Sequence, residues 1–169
     1  DPAWRETYSK KLRLLGSCLT IIVPSVPVAE QIAGWGLPSY LCEAGVDPQT
    51  VLSDAPQKDP YILYVGRLVK HKRCDFLLAA CARFSPKVSL VIIGEGEERS
   101  SLTVMADKFE LNSTFAGNCS DAEKAQFIRG ARMLVVTSEY EGFCLPVLEA
   151  AVNKIPVIAH DLPVIRHLY

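Results

Sequence analysis

The sequence has few of the features that mark membrane proteins or nucleic-acid-binding proteins. Its formal net charge at pH 7 is −1, so it has no bulk attraction for nucleic acid or for an anionic membrane. No apolar run approaches the roughly 20 residues that a membrane-spanning helix needs. Internal repeats and low-complexity segments are also absent. These absences indicate a globular domain, and a hydrophobic content of 49% in 169 residues is enough to build a core.

The cysteines indicate neither a metal site nor a disulfide framework. No two of them have the two-residue separation of a C-x-x-C pair, and most lie in apolar runs. We therefore expect reduced, buried thiols, as in a cytosolic protein, and no metal ligands. The six residues concerned are Cys18, Cys42, Cys74, Cys81, Cys119 and Cys144.

From Tyr61 onward, apolar strand-like runs alternate with helical patterns. This alternation, with short connections, predicts an α/β fold: a Rossmann-like, doubly wound parallel sheet with helices on both faces. Ligands in such folds bind at the carboxyl ends of the strands. The predicted strands are Tyr61–Val65, Val88–Ile93, Ser113–Ala116, Met133–Thr137 and Val157–Ala159. The predicted helices are Asp75–Phe84, Glu97–Phe109, Asp121–Gly130, one beginning near Pro146 and one beginning near Pro163.

The region before Tyr61 differs in composition and is too small to bury a core alone. It predicts a helix over residues 1–15, a strand at Leu19–Val23, a helix through Ala33 and a weak strand at Leu41–Ala44. Residues rich in Pro, Asp, Gln and Ser follow and indicate a linker. We predict that residues 1–50 end an N-terminal domain, 51–60 are the linker, and 61–169 form the Rossmann-like domain, truncated at its C-terminus.

The stretch from Glu141 to Glu149 joins the fourth predicted strand to a helix. Pro146 suits a first helical turn, where its missing N–H costs nothing. Free backbone N–H groups from Gly142 to Leu145 would then form an anion pocket at the edge of the sheet. Two carboxylates beside such a pocket need a partner other than phosphate, and sugar hydroxyls suit them because carboxylates accept O–H bonds strongly.

The first predicted strand of the alternating region ends in a basic loop. Gly66 lets the backbone approach a ligand closely. Arg67 can bond two phosphate oxygens at once, and Lys72 supplies a point charge. We predict phosphate binding by Arg67 and Lys72. The other basic residues of the loop are expected to be solvated surface groups: Lys70, His71 and Arg73.

Together these motifs resemble those of retaining GT-B-fold glycosyltransferases of family 4, the glycosyl transferases group 1. The resemblance rests on Glu141-Gly142-Phe143-x-Leu145-Pro146-x-x-Glu149 and on Gly66-Arg67-x4-Lys72. It covers residues 61–169 well and residues 1–60 faintly. Within these two motifs the chain departs from the family pattern at Cys144, where the family usually has Gly, and at Arg73, where Gly usually follows the Lys.

The resemblance implies transfer of a sugar from a GDP- or UDP-sugar, such as GDP-mannose, with retained anomeric configuration and without metal or cofactor. Arg67 and Lys72 would hold the diphosphate, Glu141 the donor sugar and Glu149 the ribose. The implied catalytic residues are Arg67, Lys72 and Glu141. The implied substrate-binding residues are Gly66, Arg67, Lys72, Asn118, Cys119, Glu141, Gly142, Phe143, Cys144, Leu145 and Glu149, with Asn118 and Cys119 beside the base.

The implied acceptor is a glycan, a lipid-linked sugar or a small molecule, and residues 1–50 would belong to the acceptor side. The expected location is the cytoplasm, with peripheral membrane contact through a missing N-terminal domain as an alternative. Two other functions remain open. One is a nucleotide-sugar-binding fragment without turnover. The other is an NAD-dependent oxidoreductase, which would require Gly-x-Gly-x-x-Gly after the first strand, where this chain has the basic loop.

Overall fold

A computed structural model describes residues 6, 9–12, 14, 20–46, 61–84 and 88–169. The predicted linker at 51–60 lies outside these residues, as do Cys18 and much of the predicted helix at 1–15. The described residues among 6–14 are helical. None of the helices in these ranges combines the length and the apolarity needed to cross a membrane.

Residues 20–46 form a small β-α-β unit, which we call the N-terminal segment. Strands β1 (Ile22–Val23) and β2 (Tyr40–Leu41) pair in parallel, and helix α1 (Val26–Ala33) connects them. The second strand was predicted at Leu41–Ala44, so that prediction was too long and displaced. Both residues of β2 are exposed, which is why apolar periodicity located this strand poorly.

A five-stranded parallel sheet forms the centre of the fold, with strand order β5-β4-β3-β6-β7. This confirms the predicted doubly wound α/β fold. Leu63 on β3 lies in register with Val91 on one side and Leu134 on the other. The observed strands are within two residues of the predicted ends: β3 (Tyr61–Val65), β4 (Ser89–Ile93), β5 (Asn112–Gly117), β6 (Ala131–Val136) and β7 (Val157–Ala159).

Helices follow the strands in the predicted alternation. One prediction is off at its start, because the helix expected from Glu97 begins only at Arg99. The Glu98 N–H donates to the carbonyl of Leu68 outside the helix (3.0 Å), so the preceding residues form a turn instead. The helices are α2 (Cys74–Cys81), α3 (Arg99–Lys108), α4 (Asp121–Gly130), α5 (Leu145–Val152) and α6 (Pro163–Leu168), with a short 3₁₀ helix at Lys70–Lys72.

The central strands of the sheet are buried on both faces, which explains their continuous apolar runs. Neighbouring residues on β3 illustrate this: Leu63 packs with α4 and α5, whereas Tyr64 packs with α2 and α3. The two core clusters contain Ile128, Leu134, Val147 and Ala150 on the first face, and Leu77, Leu78, Ile92 and Leu102 on the second.

The direction of winding reverses between β3 and β6. From β3 the chain moves outward through β4 to β5, then returns to place β6 on the other side of β3. Ligands of open α/β sheets bind at such a reversal, in the crevice outside the carboxyl ends of the two strands. The basic loop follows β3 and the Glu141 loop follows β6, so both predicted motifs lie at this crevice.

Candidate functional site

The basic loop after β3 packs directly onto the loop after β4. The N–H of Gly66 donates to Ile93 O (3.0 Å), and the N–H of Leu68 donates to Glu95 O (2.9 Å). A Cβ at Gly94 would lie 2.0 Å from Gly66 O, and one at Gly96 would lie 2.2 Å from Leu68 O. Both glycines are therefore required by the close approach of two backbones, and this packing carries Arg67 at its tip.

Arg67 and Lys72 stand in different electrostatic surroundings. The side chain of Arg67 is exposed, and no described carboxylate pairs with its guanidinium. Lys72, in the 3₁₀ helix, donates from Nζ to Glu141 Oε1 at 2.6 Å, with side-chain exposures of 16% and 12%. The structure thus brings Lys72 and Glu141 together as an ion pair, in which each neutralises the other.

Three further contacts hold the loops after β3 and β6 together. Thr137 Oγ1 donates to Lys72 O (2.9 Å), and the N–H of Glu139 donates to His71 O (2.8 Å). The rings of His71 and Tyr140 stack with centroids 4.4 Å apart. Lys72 and Glu141 therefore lie on two loops that are held together by these contacts.

Ser138 is a site residue that the sequence did not single out. It is 3% exposed, and its Oγ donates to Glu141 Oε1 at 2.6 Å. The carboxylate of Glu141 is thus oriented from two sides, by an ammonium and by a hydroxyl. The only signal in the sequence is a small polar residue at a strand end, three positions before the acid.

The loop that leads into α5 presents unpartnered backbone amides. In the described part of the chain, no acceptor lies on the N–H groups of Gly142 to Leu145. These groups stand at a helix N-terminus, where the helix dipole favours an anion. These amides are the groups that the sequence predicted would form an anion pocket.

Cys144 ends this loop in a left-handed conformation, with φ 69° and ψ 62°. Glycine adopts that region without cost, which gives the family's usual Gly a physical reason. The thiol is buried, and this desolvation, followed by the charge of Glu141, raises its pKa to about 12. Cys144 is consequently a packing residue and not a nucleophile at neutral pH.

Glu149 is held by a residue from a different helix. Lys124 Nζ on α4 lies 2.7 Å from Glu149 Oε1 and 3.0 Å from Asp121 Oδ1. Burial lowers the pKa of Lys124, but the hydrogen bonds that its ammonium donates to these two carboxylates outweigh this effect, and the pKa is raised. The second oxygen, Glu149 Oε2, is buried and has no hydrogen-bond partner, which is costly unless a ligand supplies a donor.

The loop after β5 also has free backbone groups. Gly117 has φ +73°, and a Cβ there would lie 2.8 Å from Glu95 Oε1. Among the described residues, no acceptor lies on the amides of Asn118 and Cys119. Ser120 and Glu123 form the capping box that begins α4, at the start that the sequence predicted for this helix.

Long-range electrostatics link these groups into one region. Besides burial, the charges of Glu141 and Glu149 raise the pKa of the Cys144 thiol and that of Lys72 lowers it, so all three groups lie within electrostatic reach of this residue. Burial lowers the pKa of His71, and the charges of Lys72 and Arg67 lower it further. Arg67 therefore lies within electrostatic reach of His71, and within the described residues no hydrogen bond or ion pair joins its side chain to another predicted site residue.

A separate apolar cavity of about 470 Å³ lies on the α2 face of β6 and β7. It is lined mainly by Phe76, Phe84, Met133, Val135 and Ile158, and none of the predicted site residues borders it. In the described ranges no group of three His, Cys, Asp or Glu residues could hold a metal ion.

The thiols partly match the expectation of buried cysteines. Cys74, Cys81 and Cys144 are buried and free, whereas Cys42 is exposed and Cys119 is half-buried. The expectation is therefore wrong for Cys42, which directly follows the exposed strand β2. Burial raises the pKa of the Cys74 thiol to about 12, so it is protonated at neutral pH.

Comparison with known proteins supports the relation suggested by the motifs. Over 151 residues the chain is 30% identical to a GDP-mannose-dependent alpha-mannosyltransferase of Mycobacterium tuberculosis (strain CDC 1551 / Oshkosh), covering 83% of this chain and 38% of that protein. Over 113 residues it is 29% identical to an N-acetylgalactosamine-N,N'-diacetylbacillosaminyl-diphospho-undecaprenol 4-alpha-N-acetylgalactosaminyltransferase of Campylobacter jejuni subsp. jejuni, covering 67% and 31%.

Solved structures share the fold. Anabaena HepE in complex with UDP-glucose superposes with a TM-score of 0.79 at 18% identity, covering 89% of this chain and 47% of that one. Sucrose-phosphate synthase from Thermosynechococcus elongatus superposes with a TM-score of 0.78 at 25% identity, covering 94% and 44%. The chain thus spans less than half the length of each of these relatives.

The family model described as Glycosyl transferases group 1 matches residues 51–169, which is most of the chain. Both motif loops and the whole five-stranded sheet fall inside that match. The chain therefore belongs to the glycosyl transferases group 1 family, and its sheet and flanking helices form a Rossmann-like domain of the GT-B type.

Proposed function

We propose that this chain is the donor-binding part of a retaining hexosyltransferase that takes a sugar from a GDP- or UDP-sugar. The observation that carries the proposal is the convergence of Lys72, Glu141 and Glu149 around Cys144, beside unpartnered amides at a helix N-terminus. A cation and free N–H groups suit a diphosphate, and carboxylates suit polyol hydroxyls.

Arg67, Lys72 and the amides of Phe143 to Leu145 would bind the diphosphate. As the glycosidic bond breaks, negative charge grows on the leaving diphosphate, and donors aimed at that charge stabilise the transition state. Removing one such donor typically costs about 3–4 kcal/mol of activation free energy. These cations would take the place of a metal, so we expect transfer to survive chelation with EDTA.

The two carboxylates would bind hydroxyls and would not act as an acid–nucleophile pair. Glu141, oriented by Lys72 and Ser138, would hold the donor sugar. Glu149, anchored through Oε1 by Lys124, would offer its unpartnered Oε2 to the ribose. Asn118 and Cys119 would contact the base through their main chain. Attack from the leaving-group face, with positioning dominant, is part of the same proposal.

Titration calorimetry of the chain with GDP, UDP and ADP tests the donor site directly. We expect one nucleoside diphosphate to bind clearly better than the others and better than its 2′-deoxy form, because Glu149 would bond the ribose. Equal affinity for ribose and deoxyribose forms would remove the role of Glu149. No binding of any nucleoside diphosphate would remove the proposal as a whole.

Substitution of Lys72 tests the phosphate assignment. Lys72→Ala should weaken the binding of the preferred nucleoside diphosphate by about tenfold or more, because a charge-assisted contact is lost. Lys70→Ala is the matched control, since Lys70 is exposed in the same 3₁₀ helix and should leave affinity unchanged. Equal effects of the two substitutions would show that only the net charge of the loop matters.

A second candidate is a nucleotide-sugar-binding chain that transfers nothing by itself. It is favoured by the length of the chain, which covers only 38% of the mannosyltransferase relative. A longer protein would supply the acceptor-binding domain, and the acceptor would be a glycan, a lipid-linked sugar or a small molecule. We propose a cytoplasmic location for that protein, with peripheral membrane contact through the acceptor-binding domain. Glu141→Gln in such a longer protein should abolish most transfer while nucleoside diphosphate binding persists.

A further inference from the structure

Ser25 occupies a helix-capping position without capping its helix. It precedes α1 with an extended backbone, φ −155° and ψ 157°, yet its hydroxyl makes no bond to the first turn of that helix. Serine is preferred there because its oxygen normally accepts from the N2 or N3 amide. A side chain that gives up that bond while being 0% exposed must be satisfied elsewhere.

The hydroxyl of Ser25 instead donates across the molecule to the loop after β6. Its Oγ lies 2.7 Å from the carbonyl oxygen of Gly142, 117 positions away in the sequence. Pro24 approaches the same residue, since a Cβ built on Gly142 would lie 3.7 Å from Pro24 Cγ. The N-terminal segment therefore contacts the anion-binding loop at a defined hydrogen bond, supported by contacts between α1 and α6.

This bond fixes the orientation of one peptide unit of the pocket. In a trans peptide the C=O and the following N–H point in opposite directions. Gly142 and Phe143 share such a unit, so holding the Gly142 carbonyl on Ser25 directs the Phe143 N–H to the opposite side. That N–H is one of the amides without an acceptor in the described residues. Because glycine has wide φ and ψ freedom, the peptide between Gly142 and Phe143 could rotate if no hydrogen bond held its carbonyl.

We infer that Ser25 is a positioning residue, which orients the Gly142–Phe143 peptide so that the Phe143 N–H faces a bound diphosphate. The inference rests on the proposed donor-binding function and extends it to the N-terminal segment. The sequence analysis predicted that this segment belongs to a different domain. Packing of the segment against the loop after β6 would therefore be coupled to the affinity of that loop for a diphosphate. A nucleoside has no phosphate to contact the Phe143 N–H, so its binding affinity would not depend on Ser25.

The test compares Ser25→Ala with Ser39→Ala in the whole chain. Ser39 lies on the same segment and has no hydrogen bond in the described part, so the chemical change is matched. Affinities for UDP and uridine, and for GDP and guanosine, are measured by calorimetry or by NMR titration. We expect Ser25→Ala to weaken diphosphate binding about fivefold, as for one lost donor, with nucleoside affinity unchanged and Ser39→Ala like wild type.

A backbone measurement separates orientation from general loosening. In ¹⁵N-labelled protein, the Phe143 amide resonance should shift strongly on addition of the preferred diphosphate and shift much less in Ser25→Ala. Ser25→Thr, which keeps the hydroxyl, should recover the shift if its thermal unfolding midpoint is close to that of wild type. Equal diphosphate affinity in wild type and Ser25→Ala, or equal losses for diphosphate and nucleoside, would overturn the inference. Absence of diphosphate binding by the wild type would instead overturn the proposed function.

Discussion

Four described residues other than glycine have positive φ angles: Arg73, Glu110, Cys144 and Lys154. Two of them, Arg73 and Cys144, are the positions where the sequence departs from glycine in the family pattern. Left-handed backbone costs a residue with a Cβ about 1–2 kcal/mol. The side chain of Arg73 forms exposed ion pairs with Asp75 (3.1 Å) and Glu139 (2.9 Å).

Substitution of Cys144 should reveal this backbone cost. We expect Cys144→Gly to be more stable than Cys144→Ala by about 1 kcal/mol, because both lose the thiol but only glycine adopts φ 69° freely. Cys81, buried at the end of α2, is the control, and there alanine should exceed glycine by about 0.5–1 kcal/mol. Chemical denaturation measures all four values, and the same order at both positions would contradict this account.

The pair between Lys124 and Glu149 makes a further prediction for single residues. Lys124→Met should lower the free energy of unfolding by about 1–3 kcal/mol, since it leaves a carboxylate that is 8% exposed without its cation. Adding Glu149→Gln should recover part of the loss. Asp121→Asn, at the exposed end of the same network, should change stability by less than about 0.5 kcal/mol. Chemical denaturation of the three variants tests this prediction. Equal losses of unfolding free energy in Lys124→Met and Asp121→Asn would contradict it.

At the scale of elements, the glycines after β4 act as spacers between two loops. Gly96→Ala should lower the thermal midpoint by several degrees and weaken diphosphate binding, because a Cβ 2.2 Å from Leu68 O must displace the loop that carries Arg67. Gly45→Ala is the control, since nothing lies within 4 Å of a Cβ there. A variant with wild-type melting and wild-type affinity would show that the two loops move independently.

The sequence predicted the order of the elements and the bounds of the five sheet strands to within two residues. Apolar runs located the central strands β3, β4 and β6, and the regular alternation of strands and helices located the edge strands β5 and β7. Short exposed strands were predicted less well, because β2 has no buried residue to give a period. The same limit applied to the start of α3, where a bond to Leu68 O from a distant loop decides the boundary.

Site residues divided in a similar way. Motif spacing brought out Lys72, Glu141 and Glu149, because each lies beside a strand end or a helix start. Ser25 and Lys124 gave no signal, since each acts on a partner that only the packed fold brings near. The pairing of Lys72 with Glu141 was also unforeseen, because the sequence suggested separate ligands for the two charges.

For the whole molecule, the position of His71 between the loops after β3 and β6 predicts that the free energy of unfolding depends on pH. Burial and then the charges of Lys72 and Arg67 lower the pKa of His71 from 6.5, while Glu141 and Glu139 oppose this. The unfolded chain therefore takes up the proton first, and the free energy of unfolding falls as pH drops through about 6.5 toward the lower folded pKa. His71→Gln should flatten this fall.

The exposed residue His167 on α6 supplies the control for that effect. His167→Gln should leave the slope of stability against pH between 7 and 5 as in wild type. Urea denaturation at a series of pH values measures both slopes. Identical slopes for wild type and His71→Gln would contradict the assignment to His71.

The bond between Lys72 and Glu141 has a consequence for the order of events at the crevice. In the proposed donor complex, the diphosphate would compete with Glu141 for the ammonium group of Lys72, so the carboxylate would lose this counter-ion as the phosphates bind. Glu141 would then keep the hydroxyl of Ser138 and gain acceptor capacity for a sugar hydroxyl. Under that proposal, binding of the phosphates would precede binding of the hexose, and a monosaccharide without phosphate would bind weakly.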